Sequence, residues 1–157
     1  MSTYKFEENL SQSQLEELSK CRLEPAWLSQ RRLEAFERFQ SLNWPAKTEE
    51  EWRRTDLNRL MNLDFGLEWS LLGQSQLVSN GGKSNGYLAR LEQAETKEVK
   101  LSLSPEVPQN LVFTDLESAA RNYPDLVGQF QNLIKPEESK LAAFNKAFWN
   151  KGIFLYV

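Results

Sequence analysis

Apolar positions in the first third of the chain recur at helical spacing. "SQSQLEELSK" offers Ser11 as a helix N-cap and places Leu15 and Leu18 on one face. "EPAWLSQRRLEAFERFQSLNWP" is a stronger helix. Pro25 suits its first turn, where a missing N–H costs nothing. Leu28, Ala35, Phe39 and Leu42 follow the helical period with Phe36 beside them, and Glu34 and Arg38 form an i, i+4 pair on the wet side. Pro45 ends the run, because the residue before a proline avoids helical angles. In "KTEEEWRRTDL", Thr48 and Glu51 have the spacing of a capping box. A short helix from there points Trp52 and Leu57 inward and Arg53 and Arg54 outward, so Trp52 is expected in the core.

The period then shortens. "LDFGLEW", "SQLVSN" and "YLARLE" read as short strands, and Asn80-Gly81 is a hairpin signal. "KEVKLSLSP" alternates well, with Val99, Leu101 and Leu103 on one face. "NLVFTDL" reads as a buried strand running into Asp115, the N-cap of "LESAARNY". Pro124 opens a helix over "PDLVGQFQNLI", and Pro136 opens another over "PEESKLAAFNKAFWNKG". That last helix carries the stripe Leu141, Phe144, Phe148, and Gly152 supplies its stop. "IFLYV" follows as a strand apolar on both faces: Ile153, Leu155 and Val157 on one, Phe154 and Tyr156 on the other. Such a strand needs cover on two sides. Pairing with "EVKLSL" or "LVFTDL", or with a second copy in a homodimer, would supply it. The pattern predicts an α+β fold: N-terminal helices, a small sheet with a hairpin, then further helices. Residues 1–157 read as one domain, with a sub-boundary near residue 46 between the helical start and the α+β part.

Composition changes this picture mainly by exclusion. A net charge of −3 gives no electrostatic case for binding nucleic acid or an acidic membrane surface. No apolar run is long enough to span a bilayer, and "MSTYKFEENLSQ" lacks the regions of a signal peptide, so a cytoplasmic location is expected. Histidine is absent and Cys21 is the sole cysteine. Imidazole catalysis, histidine metal ligation and an intrachain disulfide are therefore excluded within these residues. Cys21 reads as a small, partly buried apolar side chain at a helix end.

Three stretches could carry chemistry, and each has a plainer reading. Gly81-Gly82-Lys83 lacks the spacing of a phosphate loop and suits a hairpin tip. Consecutive Glu49, Glu50 and Glu51 splay outward rather than converge, and suit the positive end of a helix dipole. Trp52 beside Arg53 and Arg54 could stack on bases, but the acidic run before it argues for a buried tryptophan and ion-paired arginines. No residue is assigned a catalytic, cofactor-binding or metal-ligating role, and no cofactor is expected.

Four stretches carry a family resemblance. "EEEWRRTDL" resembles the EEW-K/R-Y-T-D/P-L stretch near the start of SufD proteins, and "EPAWLSQRRLEAFERFQSLNWP" resembles the helix before it. "LVFTDLESAARNYPDLV" and "KLAAFNKAFWNKGIFLYV" resemble the segment that leads into that family's core. The order agrees over roughly residues 21–69 and 110–157. Arg54 departs from the pattern, where tyrosine is common. The resemblance implies a partner of SufB and of the ATPase SufC in a complex that assembles iron–sulfur clusters. It also implies that "IFLYV" is the first strand of a right-handed parallel β-helix, so that this chain is the N-terminal part of a longer protein. The residues that build clusters then lie beyond 157, and this domain is non-catalytic. Two readings compete with it: a stand-alone adaptor that pairs an edge strand with a partner, and an enzyme whose site a second chain completes.

Overall fold

The computed structural model describes residues 5–8, 10–58, 76–79, 89–93, 98–104, 106, 108, 110–149 and 151–157. The expected hairpin tip at Asn80–Lys83 and the strand "LDFGLEW" lie outside them.

The first helices are α1 (Lys5–Glu8), α2 (Gln12–Cys21) and α3 (Ala26–Ser41). Helix α2 starts on a reciprocal cap. The Gln14 backbone N–H donates to Ser11 Oγ (3.3 Å), and the Ser11 N–H donates to Gln14 Oε1 (2.8 Å). Leu15 and Leu18 are buried, as their spacing predicts. The chain reverses at Leu23, which sits in the left-handed region at φ 49°. Helix α3 begins one residue after Pro25, its N-cap. Arg38 meets Glu137 at 3.5 Å, and Glu34 accepts from Gln30 Nε2, which replaces the expected Glu34–Arg38 pair.

Residues 47–54 form consecutive turns, not the expected helix. Glu49, not Thr48, closes the first of them by accepting from the Ala46 N–H (2.8 Å). The consequence falls on Trp52, which is half-buried beside a hollow of about 230 Å³ that it shares with Trp44 and Leu57. Trp52→Ala is therefore expected to cost less than the ~3 kcal/mol floor of a fully buried aromatic. Arg53, exposed and paired with Glu50 at 3.0 Å, should cost under about 1 kcal/mol when cut to alanine. Urea melts of the two variants measure both.

Among the described residues, five strands make two sheets. Strand β3 (Glu98–Leu103) lies between β1 (Gln76–Ser79) and β2 (Ala89–Gln93). It runs parallel to β1 and antiparallel to β2. A hairpin joining β1 to β2 would have made them neighbours, so the Asn80-Gly81 signal does not set this pairing. Strand β4 (Val112–Asp115) pairs antiparallel with β5 (Ile153–Tyr156), in register Thr114 opposite Phe154. This is the intrachain partner "LVFTDL" anticipated for the last strand.

Three helices lie between β4 and β5. Asp115 Oδ1 accepts from the Ser118 N–H (2.8 Å) and opens α4 (Leu116–Asn122). Pro124 is the first residue of α5 (Pro124–Phe130). Helix α6 (Lys140–Phe148) starts later than Pro136 suggests, because Ser139 Oγ caps it by accepting from the Ala142 N–H (3.0 Å). Gly152 is not the helix stop, since α6 is already capped at Trp149. A Cβ there would lie 3.0 Å from Leu116 Cδ2, so glycine lets the chain pass close to α4.

Helix α3 is the spine of the core. Its C-terminal half, through Ala35, Phe36 and Phe39, packs with Leu15, Leu18, Ala143, Ala147 and Phe148. Its N-terminal Leu28 packs with Ala119, Ala120, Val127 and Phe154. On α6 the fully buried residues are the small Ala143 and Ala147, while Leu141 and Phe144 are half-buried. A pair of alanines four apart presents a flat strip that lets the two helices lie close.

Candidate functional site

The residues weighed for chemistry lie apart. Glu49, Glu50 and Glu51 are exposed, and Cys21 is exposed as well, so it is not the partly buried side chain its position suggested. Among the described residues, no three His, Cys, Asp or Glu side chains gather where they could hold a metal ion. Two other features stand out: the first was passed over in the sequence, while the second is the apolar strand "IFLYV" singled out there.

The first is a buried ionic cluster at the seam between the two apolar clusters. Arg32 follows Leu28 by one helical turn and precedes Ala35 by another, so it lies on the inward face of α3. Its side chain is 0% exposed. The guanidinium grips Glu24 with two bonds, Nε to Oε2 and Nη2 to Oε1, both 2.8 Å. Its Nη1 donates to the Ala147 carbonyl at the end of α6 (2.7 Å), and its face lies 4.4 Å from the Trp149 ring centre. Ser19 Oγ donates a further bond to Glu24 (3.0 Å). One arginine thus joins α2, α3, α6 and the start of the segment into β5. Such a planar fork with a stacked face is chemistry that lysine could not reproduce.

Arg22 and Glu117 extend the cluster. Burial pulls the Arg22 pKa below its ordinary value. Nearby Glu117 opposes this, Arg32 adds to it, and Glu24 opposes it. Arg121 Nη1 donates to Glu117 Oε1 (2.8 Å) and to the Arg22 carbonyl (3.3 Å). Glu117 Oε2 is buried without a hydrogen-bond partner among the described residues. The cluster holds three arginines and two glutamates, packed among helices α2, α3, α4 and α6. Its geometry suits holding helices together rather than reacting with a substrate.

The second feature is the face of β5 that points away from the helices. Phe154 is buried, with its ring 5.9 Å from Phe130. Ile153, Leu155 and Val157 are 60, 56 and 78% exposed. The Leu116 N–H donates to the Gly152 carbonyl (2.9 Å), so by alternation the backbone groups of Ile153 and Leu155 point to the edge of β5 that no described strand pairs. An apolar face beside an edge with no described partner has the chemistry that strand pairing and docking use. The sequence pattern asks for cover on two sides and leads to the expectation of an ordered strand with at least one side buried; β5 is a strand with Phe154 buried, while Ile153 and Leu155 are exposed.

No described helix is long and apolar enough to cross a membrane.

Comparison with known proteins gives this surface a context. The family model for the SufBD protein N-terminal region matches residues 8–80. An iron–sulfur cluster assembly SufBD family protein of Pyrococcus horikoshii is 32% identical over an alignment that takes in 95% of this chain and 36% of that protein. The iron–sulfur cluster assembly protein SufD of Bacillus subtilis is 29% identical over 95% of the chain and 36% of its own length. SufB of the same organism is 28% identical over the whole chain and 36% of its own length. The chain thus spans about a third of the curated relatives it matches, and SufB and SufD are about equally similar to it. No solved structure matches. With residues 8–80 matched by the family model and 95–100% of the chain aligned to relatives of one kind, the chain belongs to the SufBD family.

Proposed function

We propose that residues 1–157 form the non-catalytic N-terminal domain of a SufD-like component of a SufBCD complex, which works in the cytoplasm and assists iron–sulfur cluster assembly. The observation that carries this reading is the alignment of 95–100% of the chain with SufD and SufB. The domain's role is structural. Its outward β5 face seats the chain's continuation, the first turns of a parallel β-helix, and SufB-like and SufC-like ATPase subunits bind through the full-length protein. A chimera tests this, with residues 1–157 replacing the matching segment of Bacillus subtilis SufD. It is expected to co-purify with SufB and SufC and to support cluster assembly. A chimera that folds but recovers neither partner overturns the reading.

The same reading predicts that the 157-residue chain holds no cluster of its own, because one exposed thiol and no imidazole leave too few ligands. Anaerobic reconstitution with iron and sulfide should leave no stoichiometric visible absorption in the monomer. A second reading, a stand-alone adaptor, draws on the open edge of β5. It predicts strand pairing with a partner peptide or a second copy, which isotope-edited infrared spectroscopy and sedimentation detect.

A further inference from the structure

We propose that the hollow bounded by α3, the turns joining α5 to α6, and the last turn of α6 is a binding site for a small zwitterion of the α-amino acid class. The hollow measures about 270 Å³. That is close to the ~300 Å³ at which small-molecule pockets begin. Its walls carry three cations, Arg31, Lys135 and Lys146, and two carboxylates, Glu34 and Glu137, with the Asn132 amide beside them.

These charges do not cancel one another. Arg31 Nη1 donates to the Gly128 carbonyl (3.0 Å), and its guanidinium lies 5.3 Å from the Trp27 ring centre. Lys146 Nζ donates to the carbonyls of Gln131 (2.6 Å) and Ile134 (3.4 Å). Glu34 Oε1 accepts from Gln30, and Glu137 Oε1 meets Arg38. Among the described residues, no salt bridge joins any of the three cations to either carboxylate. Backbone carbonyls hold Arg31 and Lys146 in place, so both charges of the hollow stay available to a ligand. A site held open in this way spends little on ordering itself when the ligand arrives.

The arrangement of charge selects the ligand. Burial lowers the Lys146 pKa from its ordinary value and Arg31 lowers it further, against the pull of Glu137, Glu138 and Glu34. A carboxylate between Arg31 and Lys146 relieves that repulsion. An inorganic dianion would also face Glu34 and Glu137, and a simple cation would face three basic groups. A ligand with one charge of each sign meets both: its carboxylate at Arg31 and Lys146, its ammonium at the glutamates. Glu34 follows Arg31 by three residues on α3, which places it about 4.5 Å further along the axis. The same hollow shares Glu34, Pro136 and Glu137 with a second one of about 450 Å³ beside α3, which gives a ligand side chain room to extend.

Titration of the isotope-labelled 157-residue chain with glycine, followed through backbone amide shifts, tests this. The Asn132, Lys135 and Lys146 amides should shift saturably, with a Kd below about 10 mM. N-acetylglycine lacks the ammonium and glycinamide lacks the carboxylate, and each should bind at least about tenfold more weakly. Lys146→Gln should shrink the preference for glycine over glycinamide, and Glu34→Gln the preference over N-acetylglycine, by about threefold or more. A merely structural role for either side chain would weaken all three ligands alike. The proposal is overturned if the shifts do not saturate by about 50 mM glycine, or if N-acetylglycine or inorganic phosphate binds as tightly as glycine. It is also overturned if either folded variant leaves its preference unchanged. The comparison of ligands on the unaltered chain decides the matter even where a variant does not fold.

Discussion

Replacing Arg32 with methionine is expected to lower the unfolding free energy by about 3–5 kcal/mol, the usual cost of breaking a buried ion pair on one side. The loss has three physical sources. The Glu24 side chain, 1% exposed, loses both bonds of the guanidinium fork. The Ala147 carbonyl loses its donor at the end of α6. Trp149 loses the cation stacked on its ring. The second half of the expectation separates a costly orphan from a stabilising pair. In R32M/E24L no buried charge is stranded, and at least half of the loss should return. Urea melts with unchanged m-values measure both. A loss under about 1 kcal/mol for R32M alone would mean that Glu24 finds water or another partner.

Phe154→Ala is the next largest effect, about 3–5 kcal/mol. Phe154 is the described side chain by which β5 enters the cluster of Leu28, Ala119, Ala120 and Val127. Its removal leaves a cavity and loosens the strand. Leu155→Ala, one residue on and facing outward, should stay within about 0.5 kcal/mol. Removing residues 153–157 should lower the melting temperature with Phe154→Ala, not with Leu155→Ala. Equal losses at 154 and 155 would show that both faces of β5 are covered in solution.

The contrast at β5 shows what a pattern of apolar residues can and cannot convey. "LVFTDL" running into Asp115, the cap at Ser11, Pro124 at the start of α5 and the strand at 153–156 all stand where local chemistry puts them, because a cap or a proline acts within a few residues. The buried face of α3 was legible at Leu28, Ala35, Phe36 and Phe39 for the same reason. Arg32 was not, although it occupies the gap in that stripe one turn after Leu28. Arginine is ordinarily exposed, and its partners Glu24 and Ala147 are brought to it by tertiary packing. A charge at an inward helical phase was the available signal. Thr48 and Pro136 failed for a different reason: Glu49 closes a turn back onto the Ala46 N–H, and Ser139 caps the Ala142 N–H so that the helix starts at Lys140. The contact of Lys140 with Glu7 and Trp44 was invisible because those residues are distant in sequence, and no period connects them.

The packing of α3 against α6 also sets a timetable. Phe36 stacks edge-on against Phe148, their ring centres 5.6 Å apart and their positions over a hundred residues apart. Synthesis proceeds from the N-terminus at roughly 5–20 residues per second. Helix α3 therefore waits about 6–22 s for the surface that will cover Phe36 and Phe39. During that interval the nascent chain can form α2 and α3 but cannot bury the strip meant for Ala143 and Ala147. A ribosome stalled before α6 would present the greasy side of α3 to whatever holdase is at hand, and arrested chains of increasing length should shed that holdase only once Phe148 has cleared the exit tunnel.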